Sequence, residues 1–83
     1  MTSIRTSGQL GPALQSLRKA QGLTQSELGK KVGLSQERIS AIERHPERVT
    51  VDQVLTILMA LDAEFLLVRR SSEHDSESVA GAW

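Results

Sequence analysis

Gly33 separates two short stretches of helical periodicity, and it leaves them little choice but a tight crossed pair. Counting from Gln25, apolar residues fall at offsets 3, 7, 9, 14 and 17, at Leu28, Val32, Leu34, Ile39 and Ile42. Thr24-Gln25-Ser26-Glu27 reads as a capping box, in which the Thr24 hydroxyl accepts the Glu27 N–H and Glu27 reaches back. The helix that starts there ends at Gly33, and Ser35 is placed to cap the next one. So sharp a reversal needs a backbone with positive φ, which glycine adopts without a Cβ penalty. Gly29 falls where the crossing helices touch, so a larger side chain there would push them apart.

The flanking sequence supplies what this pair packs against. Leu10, Ala13, Leu14, Leu17 and Ala20 form one face of a first helix, with Pro12 tolerated only near its start and Gly22 as its stop. His45-Pro46 ends the third helix. Thr50-Val51-Asp52-Gln53 reads as a second capping box, and Val54, Leu55, Leu58 and Leu61 as the inward face of a fourth helix. Residues 1–8 are polar and aperiodic and are read as a flexible N-terminus, which leaves 9–62 as one small helical domain.

Beyond Leu61-Asp62 the pattern changes. Residues 63–70 hold Phe65, Leu66, Leu67 and Val68 in a short apolar run that predicts a strand, the alternative being an extension of the fourth helix. A lone strand leaves its backbone groups unpaired, and no second strand is predicted in this chain. Its simplest partner is the same strand of a second copy, forming an antiparallel ribbon across a two-fold axis. A domain this small gains from such pairing, because its own core is modest. Residues 71–83 are acidic and poor in large apolar residues, and are read as a disordered tail ending in Trp83.

Composition removes several classes of function. There is no cysteine, hence no disulfide framework, thiolate nucleophile or Cys-based zinc site. No apolar run approaches the roughly 20 residues of a membrane helix, and the first residues do not form a secretory signal, so a cytoplasmic protein is expected. His45 and His74 have no ligand-spaced neighbours, and no nucleophile–base pair or glycine-rich phosphate loop occurs. The expectation is a non-enzyme without metal or cofactor. The formal charge is zero, yet residues 1–70 hold ten basic residues against seven acidic ones, a net +3, and the last thirteen hold three acids. The helical part is mildly basic, while the tail would be repelled by phosphate.

What remains exposed on the third helix is Gln36, Glu37, Ser40, Ala41 and Arg44. Together with the run Gly-Leu-Thr-Gln-Ser-Glu-Leu-Gly-Lys-Lys-Val-Gly-Leu-Ser-Gln-Glu-Arg-Ile-Ser-Ala-Ile-Glu at 22–43, this segment resembles the helix-turn-helix of the phage-repressor and Cro family, including its Xre-like regulators. One departure is Gly29, where that family usually has alanine, at a cost to helix two of about 1 kcal/mol. The resemblance implies an all-α, lambda-repressor-like four-helix domain with the short C-terminal strand paired across a homodimer. It implies double-stranded DNA, a palindromic operator, as the partner, with the third helix in the major groove.

Roles follow position by position. Gln36 would read a base, adenine by preference, through a bidentate amide contact, with Glu37 and Ser40 at neighbouring edges. Gln25 and Ser26 would offer helix N-terminal N–H groups to phosphate. Ser35 and Arg38 would make flanking phosphate contacts, and Lys30 or Lys31 weaker ones. Arg18 and Glu43 resemble the family's structural ion pair and are assigned to the fold, not to the site. The whole plan, with its C-terminal strand and short polar tail ending in tryptophan, resembles HipB-type antitoxins. That implies an autorepressor that also binds and silences a HipA-like serine/threonine kinase toxin, with Trp83 as the anchor for that partner. A plain Xre-like repressor without a toxin partner is the alternative.

Overall fold

A computed structural model describes residues 3–69. It contains α1 (Ser7–Ala20), α2 (Gln25–Val32), α3 (Gln36–Arg44), a 3-10 turn at Pro46–Arg48 and α4 (Val51–Ala60). α3 lies against both α1 and α2, and α4 packs on α2. Leu14, Leu28, Ile39, Ile42, Val54, Ile57, Leu58 and Leu61 form the buried core, bordered by Leu10, Leu23, Val32, Leu34 and Val49.

α1 begins at Ser7, two residues before the expected boundary at 9. The Gln9 side chain explains this, because its Oε1 accepts the Thr6 N–H at 3.1 Å and caps the new turn. Pro12 therefore sits in the second turn, deeper than expected, and the Gly8 carbonyl loses its usual i+4 donor. Gly8 is exposed, so water can take that place. The inward line of α1 also differs from the periodic one. Gly11, Leu14 and Arg18 are buried, whereas Leu17 and Ala20 are exposed. A Cβ on Gly11 would collide with the Glu43 carbonyl, so the helices meet there backbone to backbone. That contact sets the rotation of α1, and the paired charge of Arg18 takes a position that apolar counting gives to a hydrophobe.

α4 keeps most of its expected face, since Val54, Leu58 and Leu61 are buried. Leu55, expected inward, is exposed, and Ile57, which was not among the expected inward residues, is buried in its place. α4 is apolar nearly all round, so periodicity alone does not fix which stripe turns inward. The outer stripe is Val51, Leu55 and Met59, with Val51 69 % and Met59 78 % exposed. The expected capping box at Thr50 is half made. Thr50 Oγ1 accepts the Gln53 N–H at 3.1 Å, while the Gln53 amide is engaged by Arg38 instead of reaching back.

α4 stops at Ala60, and Asp62 takes the left-handed region at φ 57°. The Ala63 N–H turns back to the Leu58 carbonyl at 2.8 Å. This closure ends the helix, so residues 63–69 do not extend it. Nor do they form a strand within the single chain, where no other segment offers them a ladder among the described residues. Phe65, Leu66, Leu67 and Val68 are exposed, Leu67 at 93 %. Arg70, the tail 71–83 and Trp83 lie outside the described residues.

The glycines separate two kinds of cost. Gly33 has φ 74° and nothing within 4 Å of a built Cβ, so Gly33→Ala should cost only conformational strain, about 1–2 kcal/mol. Gly11→Val adds a steric clash with backbone and should cost about 1–3 kcal/mol through overpacking. Urea midpoints of the two variants should fall below the wild type, and an unchanged midpoint for Gly11→Val would contradict the α1–α3 contact.

Candidate nucleic-acid interface

The geometry of the α2–α3 corner follows from its two glycines. Gly33 caps α2 in the left-handed region, and the Leu34 N–H closes on the Gly29 carbonyl at 2.8 Å. A side chain on Gly29 would run into the Leu34 carbonyl, which accounts for glycine at that position despite its low helix propensity. Ser35 then caps α3, its Oγ accepting the Arg38 N–H at 3.1 Å. Ile39 and Ile42 anchor the inner face of α3. Gln36, Glu37 and Arg44 are consequently left exposed, with Ser40 and Ala41 half-buried.

A shallow open cleft runs along this outer face, lined by Gln25, Gln36, Glu37, Ser40 and Arg44. Four of the residues singled out in the sequence are thus brought together. Ser26 is exposed at the start of α2, and Ser35 is exposed at the start of α3. The backbone N–H groups of Gln25 and Ser26 donate to nothing among the described residues. They lie at the positive end of the α2 dipole and are open to an anion.

Arg38 is less free than expected. It is half-buried, and its Nη2 donates to Gln53 Oε1 of α4 at 3.2 Å. Lys30 and Lys31 are exposed on the last turn of α2, outside the cleft lining. Arg44, read from the sequence only as an exposed residue, lines the cleft. Its Nε faces the Ser40 carbonyl at 3.4 Å. The signal for it lay in the four-residue spacing of Gln36, Ser40 and Arg44.

Behind the cleft lies the Arg18–Glu43 pair. Arg18 Nε donates to Glu43 Oε2 at 2.7 Å, and both side chains are largely buried. Gln25 Nε2 also donates to Glu43 Oε1, at 3.1 Å, a contact the sequence reading did not anticipate. At the exposed start of α2, Glu27 Oε1 accepts the Thr24 N–H at 2.8 Å. That backbone bond, with the Thr24 hydroxyl and Lys30 adding smaller effects, holds the Glu27 carboxyl below its ordinary range. His45 is exposed, with Nδ1 3.3 Å from Glu47 Oε2. No group of three or more His, Cys, Asp or Glu stands ready for a metal among the described residues, and no described helix is long and apolar enough to cross a membrane.

This combination, two short helices crossed at a glycine turn with the second presenting a polar face, defines a helix-turn-helix protein. The chain matches the family described as Helix-turn-helix over residues 14–67. It is 34 % identical over 77 residues to Antitoxin HipB of Escherichia coli (strain K12), covering 90 % of this chain and 88 % of that one. A second Antitoxin HipB, from Escherichia coli O6:H1, is 37 % identical over 59 residues, covering 71 % and 63 %. Among solved structures, the chain described as "HipB-O4 20mer complex" superposes with a TM-score of 0.77 at 34 % identity, over 86 % of this chain and all of that one (100 %). "Structure of HipA-HipB-O2-O3 complex" gives the same TM-score, 0.77, at 34 % identity and the same coverage, 86 % and 100 %. The chain belongs to the helix-turn-helix family and, within it, to the HipB antitoxins.

The Glu27 cap carries a pH signature. Its carboxyl titrates lower in the folded chain than in the unfolded one, so its contribution is present above the ordinary glutamate range. That contribution is lost as pH falls through the folded value. Glu27→Gln keeps the side-chain shape and removes the charge. The gap in thermal midpoint between wild type and this variant should therefore be larger at pH 7 than at about pH 3. A gap that does not change with pH would count against the charged cap.

Proposed function

We propose that this chain is a homodimeric, operator-binding antitoxin that represses its own operon and neutralises a HipA-like serine/threonine kinase toxin. The observation that carries the reading is the clustering of Gln25, Gln36, Glu37, Ser40 and Arg44 on the outer side of a crossed helix pair. The kinship with antitoxins whose solved complexes include HipA supports the second half of it. The chain acts by binding alone, in the cytoplasm.

In this reading α3 enters the major groove with its N-terminus foremost. Gln36 then lies nearest the base edges, where its amide pairs with adenine N6 and N7. Glu37 accepts from cytosine N4 and disfavours bases that present only acceptors there. Ser40 faces the next edge. The free N–H groups of Gln25 and Ser26 take a phosphate, and Ser35, Arg38 and Lys31 grip the flanking backbone. Arg38 does so with the guanidinium donors that Gln53 leaves over.

The exposed apolar surface supports a homodimer. Phe65, Leu66, Leu67 and Val68 pair with their copies as an antiparallel ribbon, and the Val51–Leu55–Met59 stripe supplies further apolar area for association. Two copies then present two α3 helices to half-sites about 34 Å apart, matching a palindrome. Trp83, at the end of an acidic tether, anchors the kinase.

Three variants test these assignments. Gln36→Ala should weaken specific binding by about 1–3 kcal/mol and leave nonspecific binding nearly unchanged, as read by fluorescence anisotropy on matched and scrambled duplexes. Equal losses on both duplexes would sink the base-reading role. Leu67→Asp places an unpaired charge in the ribbon and should yield monomer by light scattering, whereas an unchanged mass would rule out the ribbon. With the cognate kinase co-expressed, removal of Trp83 should abolish co-purification while operator binding persists. Undiminished capture would point to another anchor.

A further inference from the structure

The Arg18–Glu43 pair does more than join two helices. Arg18 comes from α1 and is only 7 % exposed. Its Nη2 faces Glu43 Oε1 at 3.3 Å, in addition to the Nε bond, and its Nη1 donates to the Leu23 carbonyl at 2.9 Å, in the α1–α2 connection. Glu43 sits on the last turn of α3. The Gln25 amide, from the first residue of α2, supplies a further donor to the same carboxylate. One carboxylate thus gathers α1, α2 and α3 behind the wall of the cleft. We propose that Glu43, held by Arg18, is a positioning residue for DNA binding, fixing the Gln25 side-chain amide before DNA arrives.

The chemistry of the partners makes the orientation unique. An ionised carboxylate only accepts hydrogen bonds, so the amide nitrogen of Gln25 must face Glu43. The amide oxygen is then turned to the other side, and one N–H remains for a ligand. An unrestrained glutamine at that place would present its oxygen and nitrogen interchangeably. It would also lose rotamer freedom on binding. A buried charge with an excellent partner is a rigid anchor for this purpose, because breaking it is costly. Its two functions are separable: the bonds from Arg18 hold the helices, and the bond from Gln25 sets one side chain of the reading face.

This inference rests on the DNA-binding reading, and its test keeps the two apart. The probe is a duplex spanning the region immediately upstream of the chain's own coding sequence. Full-length wild type, Gln25→Ala, Glu43→Gln and the double variant are compared at a temperature well below every thermal midpoint. Glu43→Gln replaces one acceptor oxygen with an amide donor, so Gln25 loses its fixed orientation. Each single variant should bind about five- to tenfold more weakly, and the double variant no more weakly than the worse single one. The midpoint loss of Glu43→Gln should recur unchanged in the double variant. Affinity losses that multiply would overturn the proposal, because Glu43 would then act through the fold alone. If Glu43→Gln does not fold, the wild type still decides. The Gln25 side-chain amide in the DNA-free protein should be as ordered by heteronuclear NOE as the α2 backbone. A freely averaging amide would overturn the proposal even if the duplex binds tightly. A wild type that binds no upstream duplex would remove the DNA reading itself, leaving the amide measurement to judge the orientation.

Discussion

Two opposite charges taken out of water hold the three N-terminal helices together. Arg18 and Glu43 meet at 2.7 Å with both side chains largely buried. Ionic groups so placed are costly to desolvate, and the geometry must recover that cost. Here it does so with a forked contact to the carboxylate and a further bond to the Leu23 carbonyl. No buried side-chain nitrogen or oxygen among the described residues is left without a partner. The pair fixes where α3 sits along α1, and the glycine approaches at Gly11 and Gly29 fix how close the helices come. The outer face of α3 inherits its position from these contacts.

That outer face is built from amides, a hydroxyl and a carboxylate, with few fixed cations. A chain of zero net charge has a weak general pull on phosphate. On the DNA-binding reading, discrimination then falls to directional contacts at base edges and to oriented N–H groups. Glu27 sharpens this arrangement. Its carboxylate caps the start of α2 through Thr24, yet it leaves the Gln25 and Ser26 N–H groups open. Glu37 adds a negative group to the cleft itself, which favours partners offering a donor and penalises those that do not.

Much of this was legible in the sequence, and what was not has identifiable causes. The α2–α3 corner was readable because three local signals agree: the Thr24 box, Gly33 and the Ser35 cap. Gln25, Gln36, Glu37 and Ser40 followed from the family resemblance that this corner carries, and the structure gathers them. The Arg18–Glu43 pair was expected from the resemblance and is present, but the rotation of α1 was not readable from apolar periodicity, which assigns Leu17 and Ala20 inward, whereas the Gly11 contact turns them out. On α4, Val54, Leu58 and Leu61 were readable, whereas the choice between Leu55 and Ile57 was not, because the two are equally apolar. The second half of the Thr50 box failed because Gln53 has a better partner in Arg38, a contact fifteen residues away in sequence. The link from Glu43 to Gln25 was missed for the same reason, since pairwise spacing on one helix says nothing about a carboxylate shared among three.

The left-handed turn at Asp62 also shapes the early life of the molecule. By ending α4 abruptly it sends Phe65 to Val68 outward, away from their own core. A newly made chain therefore carries a sticky, strand-prone run that nothing among the described residues shelters. Glu64 and Arg69, both exposed, bracket that run with charge, the usual arrangement of gatekeepers against clumping. Those two charges stand at either end of the apolar run, so stacking of solitary chains along it would bring like charges together and be resisted by them.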